Sequence, residues 1–152
     1  MLQGDLPALL AMSFRAVMDQ IHAQLDADGF ADARPAHGFV FHFLSHKGSA
    51  TAVEIGDHLG ITKQAAVQLV DELEKRDYVL RTPHPTDRRS RSISLSPRGW
   101  LCIERVVALS RQAEERWAAM VGHERLDQLR GDLLTFIEDA ATQRPVTLRP
   151  VW

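Results

Sequence analysis

Apolar residues recur at helical spacing from Leu6 to Leu25, as Leu6, Leu9, Leu10, Phe14, Val17, Met18, Ile21 and Leu25, and Asp26-Ala-Asp-Gly29 closes the run. The pattern predicts a first amphipathic helix. A second is predicted from Pro35, a residue suited to a first helical turn, through Phe39, Val40, Phe43 and Leu44 to a stop at Lys47-Gly48. Its apolar content predicts deep burial. Thr51-Ala-Val-Glu54 has capping-box spacing, in which hydroxyl and carboxylate each satisfy an amide left open at the helix start, and Gly60 ends the short helix so opened. Thr62 caps a fourth helix with a buried stripe of Ala66, Leu69, Val70 and Leu73, while Gln64, Ala65, Gln68, Asp71 and Glu72 project away from it. The third and fourth helices, joined by Leu59-Gly-Ile61, form a helix-turn-helix. Gly56 interrupts the third, and close approach of the fourth is the expected reason.

After this pair the period shortens from helix to strand. Val79 to Pro83 and Arg91 to Leu95 read as two strands, with Ser92 and Ser94 alternating against Ile93 and Leu95, joined by a turn marked by prolines. They make a wing. Ser96-Pro97 caps a long helix through Leu101, Val106, Leu109, Ala113, Trp117 and Met120, and Gly122 breaks it. A last helix carries Leu126, Leu129, Leu133, Phe136, Ile137 and Ala140, followed by a proline-marked tail in which Trp152 is expected to pack on the fold. The fold class is therefore mainly α with a small β wing, a winged helix-turn-helix flanked by N- and C-terminal dimerisation helices. Residues 1–152 form a single domain, with about 35–98 as the DNA-binding region and about 5–28 and 99–152 as the dimerisation region. The terminal helices carry more apolar face than a monomeric core of this size uses, which predicts a symmetric homodimer.

Charge sharpens the reading. The 152 residues include 18 Lys and Arg against 20 Asp and Glu, a formal net charge of −2, so indiscriminate coating of nucleic acid is excluded. Yet between Tyr78 and Gly99 the arginines Arg81, Arg88, Arg89, Arg91 and Arg98 meet a single carboxylate, Asp87. Cation is concentrated where a phosphate backbone would lie. The apolar run from Leu6 to Phe14 is too short to span a bilayer. Met1-Leu-Gln-Gly-Asp5 lacks the cationic start of a secretory signal and Cys102 is the lone cysteine, so the expected setting is the cytoplasm, with no membrane partner.

Helix-turn-helix proteins place the start of the second helix in the major groove. Here that exposes Thr62, Lys63, Gln64, Ala65 and Gln68, and since the chain contains no asparagine, bidentate adenine recognition from this face falls to Gln64 or Gln68. Arg88, Arg89 and Arg91 on the wing suit a narrow minor groove, with Asp87 as the internal brace that fixes the turn and aims a guanidinium. Arg81 completes the expected contact set. The predicted partner is double-stranded DNA carrying an inverted repeat, with half-sites about one helical turn apart.

The segment His84-Pro-Thr-Asp87-Arg-Arg89-Ser-Arg-Ser-Ile-Ser-Leu95-Ser-Pro-Arg-Gly99 resembles the Asp-x-Arg wing and following Leu-Thr-x-x-Gly of the MarR family of bacterial winged-helix regulators, and Leu69-Val-Asp-Glu-Leu-Glu-Lys-Arg-Asp-Tyr-Val79 is similar to its recognition-helix end and wing entry. The resemblance covers Leu6 to Ala140. It implies a repressor dimerised through its terminal helices, with Asp87 bracing, Arg89 in the minor groove, and DNA affinity that falls when a small molecule enters between the dimerisation and DNA-binding regions. Gln68 and Val67 depart from the basic and small hydroxyl residues common at these positions.

For such an effector, the aromatic crowding of the second helix nominates His37, Phe41 and His42, with Phe14 and Met18 of the first, as a pocket for a small aromatic molecule. His42 and His46 are one turn apart, but with no third ligand the expectation is no metal and no cofactor. Enzyme motifs are missing: no Gly-rich phosphate loop, no His-Glu-x-x-His, no nucleophile elbow, so no catalytic residue is nominated. Two alternatives stand beside the DNA-binding regulator. One is a winged-helix protein-interaction module, which would carry a neutral or apolar wing. The other is a redox-sensing regulator acting through Cys102, which has no second cysteine to resolve a sulfenic acid.

Overall fold

The computed structural model describes residues 4–150, so Trp152 lies outside the described residues. The helices run α1 Leu6–Leu25, α2 Pro35–Lys47, α3 Ala52–Leu59, α4 Lys63–Lys75, α5 Pro97–Val121 and α6 His123–Ala141, and the strands are β1 Ser49–Ala50, β2 Val79–Pro83 and β3 Arg91–Leu95. Four of the six helices among the described residues begin at a side-chain cap. Asp5 accepts the Ala8 amide, Thr51 and Glu54 close a reciprocal capping box, and Thr62 and Ser96 accept the amides of Ala65 and Gly99. The chain leaves α1 through a wide helical turn over Asp26–Phe30, in which Gly29 takes φ 92°.

The sheet holds three antiparallel strands in the order β1-β3-β2. Ile93 faces Arg81 on one side and Ala50 on the other. The wing thus roots on a strand that the apolar pattern does not reveal, because a two-residue element has no period to read.

The core gathers Ile21 and Leu25 from α1, Phe39, Val40, Phe41 and Leu44 from α2, Ile55 and Leu59 from α3, and Val70 and Leu73 from α4. Tyr78, Val79, Ile93 and Leu95 at the root of the wing, with Cys102 and Leu109 of α5, complete it. Helix α2 runs through its middle, as its apolar content predicts. Gly56 is the close approach expected: a Cβ there would stand 3.1 Å from the Ile61 carbonyl and 3.3 Å from the Ala66 Cβ.

Two features depart from a self-contained bundle. Helix α6 buries none of its residues, and with α1 and α5 it leaves large apolar side chains in solvent, among them Leu6 at 65%, Phe136 at 70% and Met120 at 77% exposed. The tail brings Arg149 back onto Gly60 at the end of α3. No helix among the described residues is long and apolar enough to cross a membrane.

Candidate nucleic-acid interface

Helix α4 presents its first turns outward. Its buried side is Ala66, Val70 and Leu73. Thr62, Lys63, Gln64 and Gln68 are exposed and Ala65 is half-buried. Among the described residues none of the side chains of Lys63, Gln64 and Gln68 is engaged in a hydrogen bond or ion pair, so their donors are open to a partner.

The wing turn is held by side chains acting on backbone. Asp87 Oδ1 accepts the Arg89 amide at 2.9 Å and its Oδ2 accepts the Ser90 hydroxyl at 3.0 Å. Those two donors hold the Asp87 carboxyl below the usual carboxylate range. Asp87 therefore braces the turn through the amide of Arg89, leaving the guanidinium itself unclaimed. His84, which sequence reasoning missed, supports the other side: its Nδ1 accepts the Asp87 amide at 3.1 Å and the Thr86 amide at 3.3 Å. Its signal is the short spacing His84-x-x-Asp87, the reach of a side chain capping a tight turn. Arg88, Arg89 and Arg91 are exposed, and no carboxylate among the described residues pairs with them.

Arg81 stands apart from these three. Its guanidinium binds Asp71 and, at 2.9 Å, Glu74, both on α4. The charge is locally neutralised, and the contact fastens β2 to the outer face of α4. Arg98 is likewise internal. It holds Asp32 at 3.0 and 3.2 Å, donates to the Arg76 carbonyl, and stacks its guanidinium 4.2 Å from the Tyr78 ring centre. Burial works against the Asp32 charge, but Arg98 and the Tyr78 hydroxyl, 2.5 Å away, outweigh it and keep the carboxyl below its ordinary value.

Next to this hub, Glu72 of α4 gathers Arg34, Arg76 at 2.7 Å and His37 at 3.3 Å. His37 Nδ1 accepts the Arg34 amide at 3.0 Å, which assigns the ring proton to Nε2, facing Glu72. Burial, reinforced by Arg76 and Arg34, pushes His37 down to about 4. The loop between α1 and α2, the far end of α4 and the start of α5 are thus one polar knot.

The residues nominated for an aromatic effector are not brought together in the single protomer. Phe14 is exposed on α1, Met18 is half-buried, and His42 faces solvent. His37 and Phe41 are core, the Phe41 ring tilted 42° against Tyr78 with centres 5.1 Å apart. A small groove between Ile21 and Leu109 and an open cleft along α4 are lined by other side chains. Cys102 is buried, and burial raises its thiol to about 11, which disfavours the thiolate form that a redox sensor reacts through.

A model of the MarR family matches residues 33–90. Among curated relatives, the HTH-type transcriptional repressor MdtR of Bacillus subtilis (strain 168) is 25% identical over 127 residues, covering 84% of this chain and 80% of that protein. The HTH-type transcriptional regulator MhqR of the same organism is 26% identical over 91 residues, 60% of this chain and 61% of that protein. Among solved structures, the transcriptional repressor CouR bound to a 23-mer DNA duplex is 27% identical with a TM-score of 0.67, covering 87% of this chain and 92% of that chain.

Proposed function

We propose, from its match to the MarR family of transcriptional regulators over residues 33–90, that the chain acts in the cytoplasm as a homodimeric repressor that reads an inverted repeat. Residues of about 35–98 form the DNA-binding region, and about 5–28 with 99–152 form the dimerisation region. The observation that carries the reading is the pairing of an open first half of α4 with a wing turn whose Arg88, Arg89 and Arg91 are free of carboxylates while Asp87 holds the loop in shape. Thr62, Lys63, Gln64, Ala65 and Gln68 face the major groove, the two glutamines reading bases. The wing arginines take the minor groove and phosphates. Arg81, fastened to Asp71 and Glu74, acts by positioning the strand that carries the wing.

The test is fluorescence anisotropy of the purified protein against duplexes chosen from a randomised-site selection, at two salt concentrations. Arg89→Ala is expected to weaken every duplex and to flatten the salt dependence, whereas Gln64→Ala or Gln68→Ala relaxes preference at particular base pairs. Uniform loss across the library on mutating either glutamine would remove it from base reading. Release by a small aromatic effector is the finer part of the proposal. Phe14, Met18, His37, Phe41 and His42 line no common cavity among the described residues, and the reading places a second protomer against the accessible members, Phe14, Met18 and His42, with His37 and Phe41 in the core behind them. Aromatic acids added to the preformed complex should then lower its anisotropy, and a screen in which none does so rejects this part alone.

A further inference from the structure

We infer that the C-terminal tail is an arm of the DNA-binding surface, with Arg149 supplying a phosphate contact beside the start of α4. This rests on the DNA-binding reading above and extends it to a residue outside the helix-turn-helix and wing.

From Ala140 to the end of the sequence the chain carries Arg144 and Arg149 and no aspartate or glutamate. The guanidinium of Arg149 lies over Gly60, its Nη1 3.1 Å from where a Cβ would stand, and Gly60 has the left-handed φ of 70° that ends α3. The backbone of the preceding Leu148 lies beside the His58 imidazole. That ring is itself stacked on Phe43 at 4.0 Å. The tail is therefore seated on the joint between α3 and α4, just ahead of Thr62, the cap of α4. Pro145 and Pro150 restrict the backbone on either side of this contact and lower the entropy lost in holding it.

Arg149 is exposed, and no carboxylate among the described residues pairs with it. Lys47, a neighbouring cation, is by contrast committed to Glu54 at 2.7 Å. In helix-turn-helix docking the first helix crosses the phosphate backbone while the second enters the groove. The trailing end of α3 carries the partial negative charge of its open carbonyls, an unfavourable neighbour for a phosphate. A guanidinium placed on that end reverses the local sign and offers paired donors to a phosphate oxygen. Because such a contact fixes position without reading bases, it acts equally on every sequence.

The competing role is a plain C-terminal cap on α3, which would move stability and leave DNA binding alone. Full-length wild type, Arg149→Gln, Arg144→Gln and Arg89→Ala are compared by anisotropy on a selected duplex and a scrambled duplex across a salt series, with thermal melts of each. Arg149→Gln is expected to weaken both duplexes by a similar factor and to reduce the salt slope by about one. Its melting temperature should stay at the wild-type value, and Arg144→Gln should follow wild type throughout. Wild-type affinity and slope in Arg149→Gln, with or without a lower melt, while Arg89→Ala binds weakly, overturns the tail contact and spares the DNA-binding reading. Absence of salt-sensitive binding by wild type to any duplex overturns both.

Discussion

Gly99 shows how closely one residue can be specified. A Cβ there would sit 2.3 Å from the Tyr78 carbonyl, the same oxygen that accepts the Ser96 amide at 3.0 Å. The obstacle is the Tyr78 backbone itself, with the Leu95 Cδ2 at 3.1 Å as the other neighbour, so a shifted side chain would not make room. Gly99→Ala is expected to cost about 1–3 kcal/mol of stability, read as a lower urea midpoint with an unchanged slope. His37 governs a pH response. Its folded value of about 4 lies below its ordinary 6.5, so the unfolded chain binds the proton more readily over that interval. The contribution is complete above about 6.5 and is lost as pH falls toward 4. Burial depresses His42 and His58 in the same direction. Melting temperature should therefore fall between pH 7 and pH 5, and His37→Gln, less stable at pH 7, should lose less over the same interval. Equal losses in the two proteins would assign the response to other groups.

At the scale of elements, the wing depends on a turn held from within. Asp87→Ala removes the acceptor of the Arg89 amide and the Ser90 hydroxyl. DNA affinity should drop severalfold while the melting temperature barely moves, because the turn is exposed and lies outside the core; an unchanged affinity would show that the wing needs no brace. The helices were legible because their caps and stripes are local: Thr51 with Glu54, Thr62 and Ser96 each sit where sequence spacing places them. Helix α4 and the arginine turn were legible for the same reason. Strand β1 was not, since Ser49 and Ala50 are a strand only by pairing with Ser94 and Ile93. The commitment of Arg81 to Asp71 and Glu74, and of Arg98 to Asp32, was equally hidden, because each bond joins elements whose approach no local pattern encodes. His84 was within reach, three positions from Asp87, had the turn been read as a capped loop.

For the whole molecule, the unmet requirement is a cover for α6. A helix with no buried residue, carrying Leu134, Phe136 and Ile137 outward, gains most of its stability from packing that one protomer does not supply. Sedimentation velocity at micromolar concentration should show a dimer, and Phe136→Asp should shift it toward monomer; a wild type that sediments only as monomer at tens of micromolar rejects the dimer. In that dimer α5 has a mechanical meaning. Its first turn is anchored in the knot of Arg98, Asp32 and Tyr78, and its 25 residues make a rod of about 37 Å at 1.5 Å per residue. A tilt of only about 5° at its dimer end swings the other by about 3 Å over that length. In the proposed dimer two recognition helices would span half-sites about 34 Å apart, so a displacement of that size in each arm would put them out of step with the groove. On the proposed reading, the rod would convert a slight rearrangement among the terminal helices into a mismatch of pitch, and an operator would be released without any change at the residues that touch it.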